Sequence, residues 1–147
     1  MYQHILIPTD GSTLSGHAVT QGIALAKAIG ARVSGLFVVP APTPLVFEGL
    51  VPVEYMQPEE HAALSARAAA RALGVIEKAA QQAGVACECL TINGEYPAHA
   101  ILEITARRKC DLIVMASHGR RGLAGVLLGS ETQKVLTHAR VPVLVCR

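Results

Sequence analysis

The chain has 147 residues, 51% of them hydrophobic, which fits one domain spanning residues 1–147 with a sizeable core. Its 13 lysines and arginines against 11 aspartates and glutamates leave a net charge of +2, too little for a general nucleic-acid-binding or membrane-surface protein. The sequence opens with no signal-peptide pattern and has no apolar stretch of the roughly 20 residues that a membrane helix needs, so we expect a cytoplasmic protein.

Apolar runs and helical patterns alternate along the first half of the chain. Residues 1–8 predict a first strand, and Ser12 or Thr13 is expected to cap a helix that stops at Gly30. Residues 32–39 predict the second strand. Residues 40–57 contain four prolines but stay apolar, which indicates an irregular loop that packs on something.

The alternation continues in the second half. An alanine-rich stretch from Pro58 to about Gly84 predicts a long helix, and Pro97 suits the first position of another helix that runs to about Arg108. The remaining predicted elements are a third strand at 86–92, a fourth strand at 112–116, a last helix at 130–138 and a fifth strand at 141–146. Strands separated by helices predict one parallel sheet with right-handed crossovers.

The cysteines and the densest basic run have ordinary structural interpretations. Cysteines 87, 89, 110 and 146 lack the paired C-x2-C spacing of a zinc site, so we expect buried or half-buried free thiols. The basic run at residues 107–109 is interpreted as a solvated helix end, where cations interact favourably with the helix dipole.

A glycine-bearing segment, residues 115–133, leaves the fourth strand and leads into the last helix. Ser130 followed by Gln133 predicts a capping box at the start of that helix. A strand, a glycine loop and a helix N-terminus together form a common phosphate-binding arrangement, because unsatisfied amides and the positive end of a dipole face the ligand. A plain strand-to-helix connection is the alternative, since a lone glycine-rich loop is weak evidence.

This segment resembles the phosphate-binding signature of the universal stress protein family, G-x2-G-x9-G-[ST]. Gly119, nine further residues and then Gly129-Ser130 match it, whereas Ala116 stands at the first glycine. Residues 5–12 and 141–145 resemble the first and last strands of the family, so the likeness covers the whole chain. It implies a doubly wound five-stranded sheet of order 3-2-1-4-5 with helices on both faces, as in adenine nucleotide alpha hydrolase-like folds.

In a sheet of that order the ligand crevice lies between the first and fourth strands, where the winding reverses. The resemblance implies that this crevice takes ATP, or ADP or AMP, with Mg bridged through the phosphates. The residues expected to contact the nucleotide are Pro8, Thr9, Asp10, Val39, Met115, Ala116, His118, Gly119, Arg120, Gly129, Ser130, Glu131 and Thr132.

The resemblance also assigns roles within this set. Gly119, Gly129 and Ser130 take the phosphates, with the Thr132 hydroxyl as a further contributor. Pro8, Thr9, Asp10 and Val39 frame the adenosine, and Met115 and Ala116 line the floor. Asp10 is equally suited to capping the turn into the first helix.

Three side chains near the expected phosphates have open roles. The Glu131 carboxylate interacts favourably with the helix dipole but would repel a phosphate if it pointed inward. Arg120 either closes over the phosphates or is solvated. His118 is interpreted as ordering the loop through a hydrogen bond.

The sequence favours binding over catalysis. The P-loop pattern G-x4-G-K-[ST] is absent, and we find no acidic pair to position a metal, so we expect ATP hydrolysis to be slow or absent. A flavodoxin-type FMN loop at residues 9–13 is disfavoured because the chain has no Trp, two Phe and three Tyr to sandwich a flavin. The stronger alternative, favoured by Ala116, is a nucleotide-independent stress or interaction protein of the same fold.

The predicted last strand, residues 141–146, would be an apolar edge of the sheet. Proteins usually cover such edges, and members of the resembled family pair these strands across a two-fold axis. We therefore expect a homodimer through this strand.

Overall fold

A computed structural model describes residues 1–41, 57–119 and 128–147. Its elements, in chain order, are β1 His4–Pro8, α1 Thr13–Ile29, β2 Arg32–Val39, α2 Pro58–Ala83, β3 Cys87–Asn93, α3 Pro97–Arg107, β4 Leu112–Ala116, α4 Ser130–His138 and β5 Val143–Cys146. All nine predicted elements are present, with differences at their ends. The irregular loop predicted at residues 40–57 falls mostly on residues 42–56, which lie outside the described residues.

The five strands form one parallel sheet in the order β3-β2-β1-β4-β5. The order implied by the family resemblance is therefore confirmed. The winding reverses between β1 and β4, so the carboxyl ends of these two strands flank the crevice that such sheets offer to ligands.

Helices cover both faces of the sheet, and β1 is buried along its whole length. Ile5 and Ile7 of β1 pack on one face with residues of α1 and α2, whereas Leu6 packs on the other face with residues of α3 and α4. A strand buried on both faces is largely apolar, as Ile5, Leu6 and Ile7 are here, and such a run is recognisable in the sequence.

Three strands begin later than predicted: β3 by one residue, at Cys87, and β1 and β5 by more. β1 starts at His4, and the amides of Gln3 and His4 both donate to the Asp111 carboxylate, at 2.8 and 2.9 Å. β5 starts at Val143 because Pro142 has no amide hydrogen for the ladder, although its carbonyl still accepts from Ile113 at 3.0 Å.

The capping box predicted for the last helix is wrong. Gly129, with extended backbone, is the N-cap of α4, and Ser130 is the first helical residue. The amide of Gln133 donates to the Gly129 carbonyl at 3.0 Å, so it is not available to the Ser130 hydroxyl. The amide of Gly129 is held by the Ser117 carbonyl at 2.7 Å, which fixes the N-cap one residue earlier than the capping box required.

The cysteines have the burial expected of them: Cys110 is buried and the other three are half-buried. Burial raises the pKa of the Cys110 thiol to about 11. Among the helices of the described ranges, none combines the length and apolarity required to cross a membrane.

Candidate functional site

The loops that follow β1 and β4 meet at the carboxyl edge of the sheet. A Cβ atom placed on Gly119 would lie only 2.7 Å from Oδ2 of Asp10. Real Cβ contacts are not this short, so any side chain at position 119 would displace the Asp10 carboxylate, and glycine fits the close approach of the two loops.

Hydrogen bonds hold the β1 loop in one conformation. Thr9 donates its amide to the Leu36 carbonyl at 2.9 Å, and its hydroxyl bonds the Ser15 hydroxyl at 3.0 Å. Oδ1 of Asp10 accepts from the Ser12 amide at 3.0 Å, which is the turn-capping role considered for this residue. The second carboxylate oxygen of Asp10 faces Gly119.

The β4 loop departs and returns at nearly the same point. Ser117 donates its amide to the Cys146 carbonyl at 2.7 Å and accepts with its own carbonyl from Gly129, also at 2.7 Å. A Cβ on Gly129 would lie 3.3 Å from both the Ser117 carbonyl oxygen and the His118 Cα. Gly129 therefore allows two backbone segments to cross, which positions the N-terminus of α4 beside the end of β4.

Thr132 has a structural contact that the sequence did not predict. Its hydroxyl donates to the carbonyl of Ala116 at 3.0 Å, and the residue is only 3% exposed. This bond ties the first turn of α4 to the last residue of β4. Ser130 is exposed and is thus the hydroxyl at the start of α4 that solvent reaches.

Ala116, which replaces the first glycine of the signature, is 7% exposed. Little of its methyl group therefore reaches the crevice. The Met115 side chain is buried with Leu6 and Val135 in the core on the α3 and α4 side. Pro8 and Val39 are buried at the ends of β1 and β2.

Glu131 points away from the β4 loop. Its Oε2 accepts from the amide of Ala98, in the first turn of α3, at 2.8 Å, and its Oε1 accepts from Nζ of Lys134, also at 2.8 Å. Burial disfavours the charged carboxylate, but the hydrogen bonds from Lys134 and Ala98 outweigh it and lower the pKa of Glu131. Tyr96 makes no side-chain cap to α3, so the Glu131 carboxylate serves as the cap of that helix.

His118 orders its own loop through Nδ1, which bonds the Ser117 hydroxyl at 3.0 Å. Its Nε2 is buried and makes no hydrogen bond within the described residues. Arg120 lies outside the described residues, so its two open roles stay predictions.

A strand end, a crossing glycine and a helix N-terminus thus converge beside a carboxylate from the neighbouring strand. The model of the universal stress protein family matches residues 1–147. The chain belongs to this family.

Curated relatives of this universal stress protein domain include a protein of Thermus aquaticus, 37% identical over 147 residues that make up 100% of each chain. A universal stress protein of Methanocaldococcus jannaschii is also 37% identical, over 100% of this chain and 83% of its own length. Among solved structures, UspA from Lactobacillus plantarum superposes with a TM-score of 0.80 at 25% identity, covering 99% of this chain and 98% of its own.

Other universal stress protein structures with the same fold were solved with adenine nucleotides. One holds cAMP, at 23% identity and a TM-score of 0.65, over 98% of this chain and 95% of its own. A protein of Archaeoglobus fulgidus holds dAMP, at 17% identity and a TM-score of 0.67, over 99% of this chain and 98% of its own. A protein of Arabidopsis thaliana holds AMP, at 16% identity and a TM-score of 0.67, over 97% of this chain and 90% of its own.

Proposed function

We propose that this protein binds ATP or a related adenine nucleotide in the crevice between β1 and β4 and acts as a nucleotide-dependent regulator in the cytoplasm during stress. The observation that carries the proposal is the convergence of Asp10, Gly119 and Gly129 at the start of α4. The four free thiols suit the reducing cytoplasm.

The phosphates would bind at the N-terminus of α4. The first-turn amides of a helix have no acceptor within the helix, and Gly129 provides no side chain to cap those of α4. These amides and the helix dipole favour an anion. Because the Glu131 carboxylate is directed to α3 and Lys134, it does not oppose a phosphate at this position. Gly119 and the exposed Ser130 hydroxyl complete the phosphate contacts in this proposal.

The adenosine would lie toward the β1 loop. A carboxylate accepts strongly from ribose hydroxyls or an adenine amino group, and Asp10 lies at the end of the β1 loop with Oδ2 against Gly119. Pro8, Thr9 and Val39 provide the adjoining surface at the ends of β1 and β2. Met115 and Ala116 support the floor from behind, because both are buried.

Magnesium would be held through the phosphates in this proposal. The described ranges contain no group of three or more His, Cys, Asp or Glu residues suited to a metal ion. Phosphate oxygens are ligands that Mg²⁺ prefers, and it commonly reaches proteins through a bound nucleotide.

We propose that hydrolysis is slow or absent. Oδ1 of Asp10 is engaged in the turn to Ser12, and Nδ1 of His118 is engaged with Ser117. Nε2 of His118 is buried, so it is poorly placed to take a proton from an attacking water.

We further propose a homodimer through β5, which is an edge strand because it lies at the end of the sheet. Leu144 of β5 is 43% exposed, and Leu136 of the neighbouring α4 is exposed as well. Pairing of two β5 strands across a two-fold axis would provide hydrogen-bond partners for the backbone groups of the open edge and bury these side chains. The same exposed side chains favour the alternative function, an interaction protein that works without nucleotide.

Titration calorimetry with Mg-ATP, Mg-ADP and AMP distinguishes the two functions. In the Gly129→Ala variant, the new Cβ would lie 3.3 Å from two backbone atoms, so the crossing segments must move apart and the affinity should fall at least tenfold. Gly74→Ala is the matched control, because its Cβ meets nothing within 4 Å and its helix lies outside the crevice. Absence of nucleotide binding by the unmodified protein would favour the interaction protein.

A further inference from the structure

A second cavity lies at the opposite edge of the sheet, where the strands begin. It has a volume of about 350 Å³ and is lined by the first residues of β1, β2 and β3 and by the end of α3. This is within the range of roughly 300–1,000 Å³ found for small-molecule sites. The nucleotide crevice lies at the carboxyl ends of the strands, so the two sites are separate.

The lining of this cavity is strongly positive. Arg32, Arg107, Arg108 and Lys109 contribute four cations, whereas Glu88 is the one carboxylate among the residues that line it. The excess of positive over negative charge among these lining residues is therefore larger than the net charge of +2 of the whole chain.

In the described part of the chain, two of the four cations form ion pairs and two do not. Arg108 pairs with Glu88 at 2.7 Å, and Arg107 pairs with the nearby Glu103 at 3.4 Å. Within the described residues, neither Arg32 nor Lys109 makes an ion pair. Cations are common at the C-terminal end of a helix because they interact favourably with its dipole. Arg32 begins a strand, so this explanation does not apply to it.

The floor of the cavity contains two buried polar residues, His4 at 6% and Ser34 at 1% exposure. Nε2 of His4 bonds the Ser34 hydroxyl at 2.8 Å. Burial lowers the pKa of His4, and the Arg32 charge lowers it further, with a smaller contribution from the Arg108 charge. The Arg108 carbonyl and the Asp111 carboxylate act in the opposite direction without cancelling this effect. The positive field therefore extends to the floor.

Lys109 has a backbone conformation that normally selects glycine. Its φ is +55°, and it is the one residue other than glycine with a positive φ in the described part of the chain. The helices α1 and α2 end in the same left-handed region with Gly30 and Gly84. A lysine is strained there, so its presence beside the cavity points to a role for its side chain.

We propose that this cavity binds a small molecule that carries a phosphate or carboxylate group. Arg32 and Lys109 hold the anionic group from two sides, and the Arg108–Glu88 pair forms part of the wall.

Calorimetry with pyrophosphate and with citrate, at constant ionic strength in chloride buffer, tests the proposal. Arg32→Gln and Lys109→Gly should each weaken binding about tenfold, as expected for loss of a charge-assisted contact. Lys78→Gln is the control, since Lys78 is an exposed cation of α2 outside the cavity. Lys109→Gly also relieves the strained backbone, so its Tm without ligand should rise by about 2–4 °C. Weaker binding by a more stable protein cannot come from unfolding.

An NMR titration that measures the pKa of the His4 imidazole shows whether the anion binds in this cavity. An anion beside Arg32 offsets the positive field, so the pKa of His4 should rise on saturation with pyrophosphate. Gly129→Ala, which alters the nucleotide crevice, should leave this rise unchanged. A His4 pKa that moves with neither pyrophosphate nor citrate, or affinities that are equal in unmodified protein, Arg32→Gln and Lys109→Gly, would overturn the proposal. A response to pyrophosphate without one to citrate would assign the site to phosphate, and the reverse would assign it to carboxylate.

Discussion

Replacement of Thr132 by valine tests how the start of α4 is fixed to the sheet. The two side chains have nearly the same shape, but valine cannot donate to the Ala116 carbonyl, which the Thr132 hydroxyl contacts at 3.0 Å. Thr132 is 3% exposed, so water cannot easily replace the lost donor. Loss of one partner of a buried hydrogen bond costs about 1–3 kcal/mol. For a domain of this size, we expect a fall in Tm of about 2–10 °C.

Chemical denaturation followed by circular dichroism measures this change in the free energy of unfolding. Thr137→Val is the matched control, because Thr137 lies in the same helix and donates to the Gln133 carbonyl at an exposed position. It should change the free energy of unfolding by no more than about 0.5 kcal/mol. Equal stabilities of Thr132→Val and Thr137→Val would refute the view that the Thr132 hydroxyl secures the helix.

Three further changes test other contacts. Glu131→Ala should cost about 0.5–2 kcal/mol through loss of the cap on α3. Because folding lowers the pKa of Glu131, its contribution is present above the unfolded-state pKa and is lost as the pH falls through the folded-state pKa. Denaturation at a series of pH values should therefore show that the variant and the unmodified protein converge in acid; a constant difference would contradict this. Gly22→Ala would place a Cβ 2.5 Å from Cδ1 of the buried Ile7, whereas Gly16→Ala meets nothing within 4 Å. The first variant should be about 1–3 kcal/mol less stable than the second by denaturant titration, and equal stabilities would count against tight packing there. The proposed homodimer through β5 predicts that Leu144→Lys shifts the protein toward monomer in sedimentation experiments, and an unchanged distribution would exclude β5 as the contact.

The sequence predicted the elements of the fold because their signals are local. The apolar residues of β1 and β4, the caps Ser12 and Gly30 of α1, and Pro97 at the start of α3 all identify an element from neighbouring residues. Strand order is different, since alternation of strands and helices is compatible with several orders. The correct order came from the family resemblance.

The start of α4 shows why a local motif can fail. Ser130 and Gln133 have the spacing of a capping box, but the Ser117 carbonyl holds the amide of Gly129 and thereby sets the helix start. This contact joins residues 12 positions apart, across a loop that passes outside the described residues. No pattern within four residues of Ser130 contains that information.

The Glu131 cap is a long-range contact of the same kind. Its carboxylate bonds the amide of Ala98, 33 residues earlier in the chain. The residue just before the predicted helix is Tyr96, which cannot cap a helix as Ser, Thr, Asp or Asn can. This was the one local sign that α3 takes its cap from elsewhere. That sign could not identify the partner, because pairing of α3 with α4 follows from the sheet order.

The nucleotide content of freshly purified protein tests the central proposal most directly. The chain has no Trp and three Tyr, so even partial occupancy by adenine should raise the ratio of absorbance at 260 nm to that at 280 nm. Acid extraction and chromatography then identify what is released. We expect ATP, ADP or AMP from the unmodified protein and from Gly74→Ala, with little or none from Gly129→Ala. Protein that releases no adenine nucleotide and also fails to bind added Mg-ATP, Mg-ADP or AMP would contradict the account.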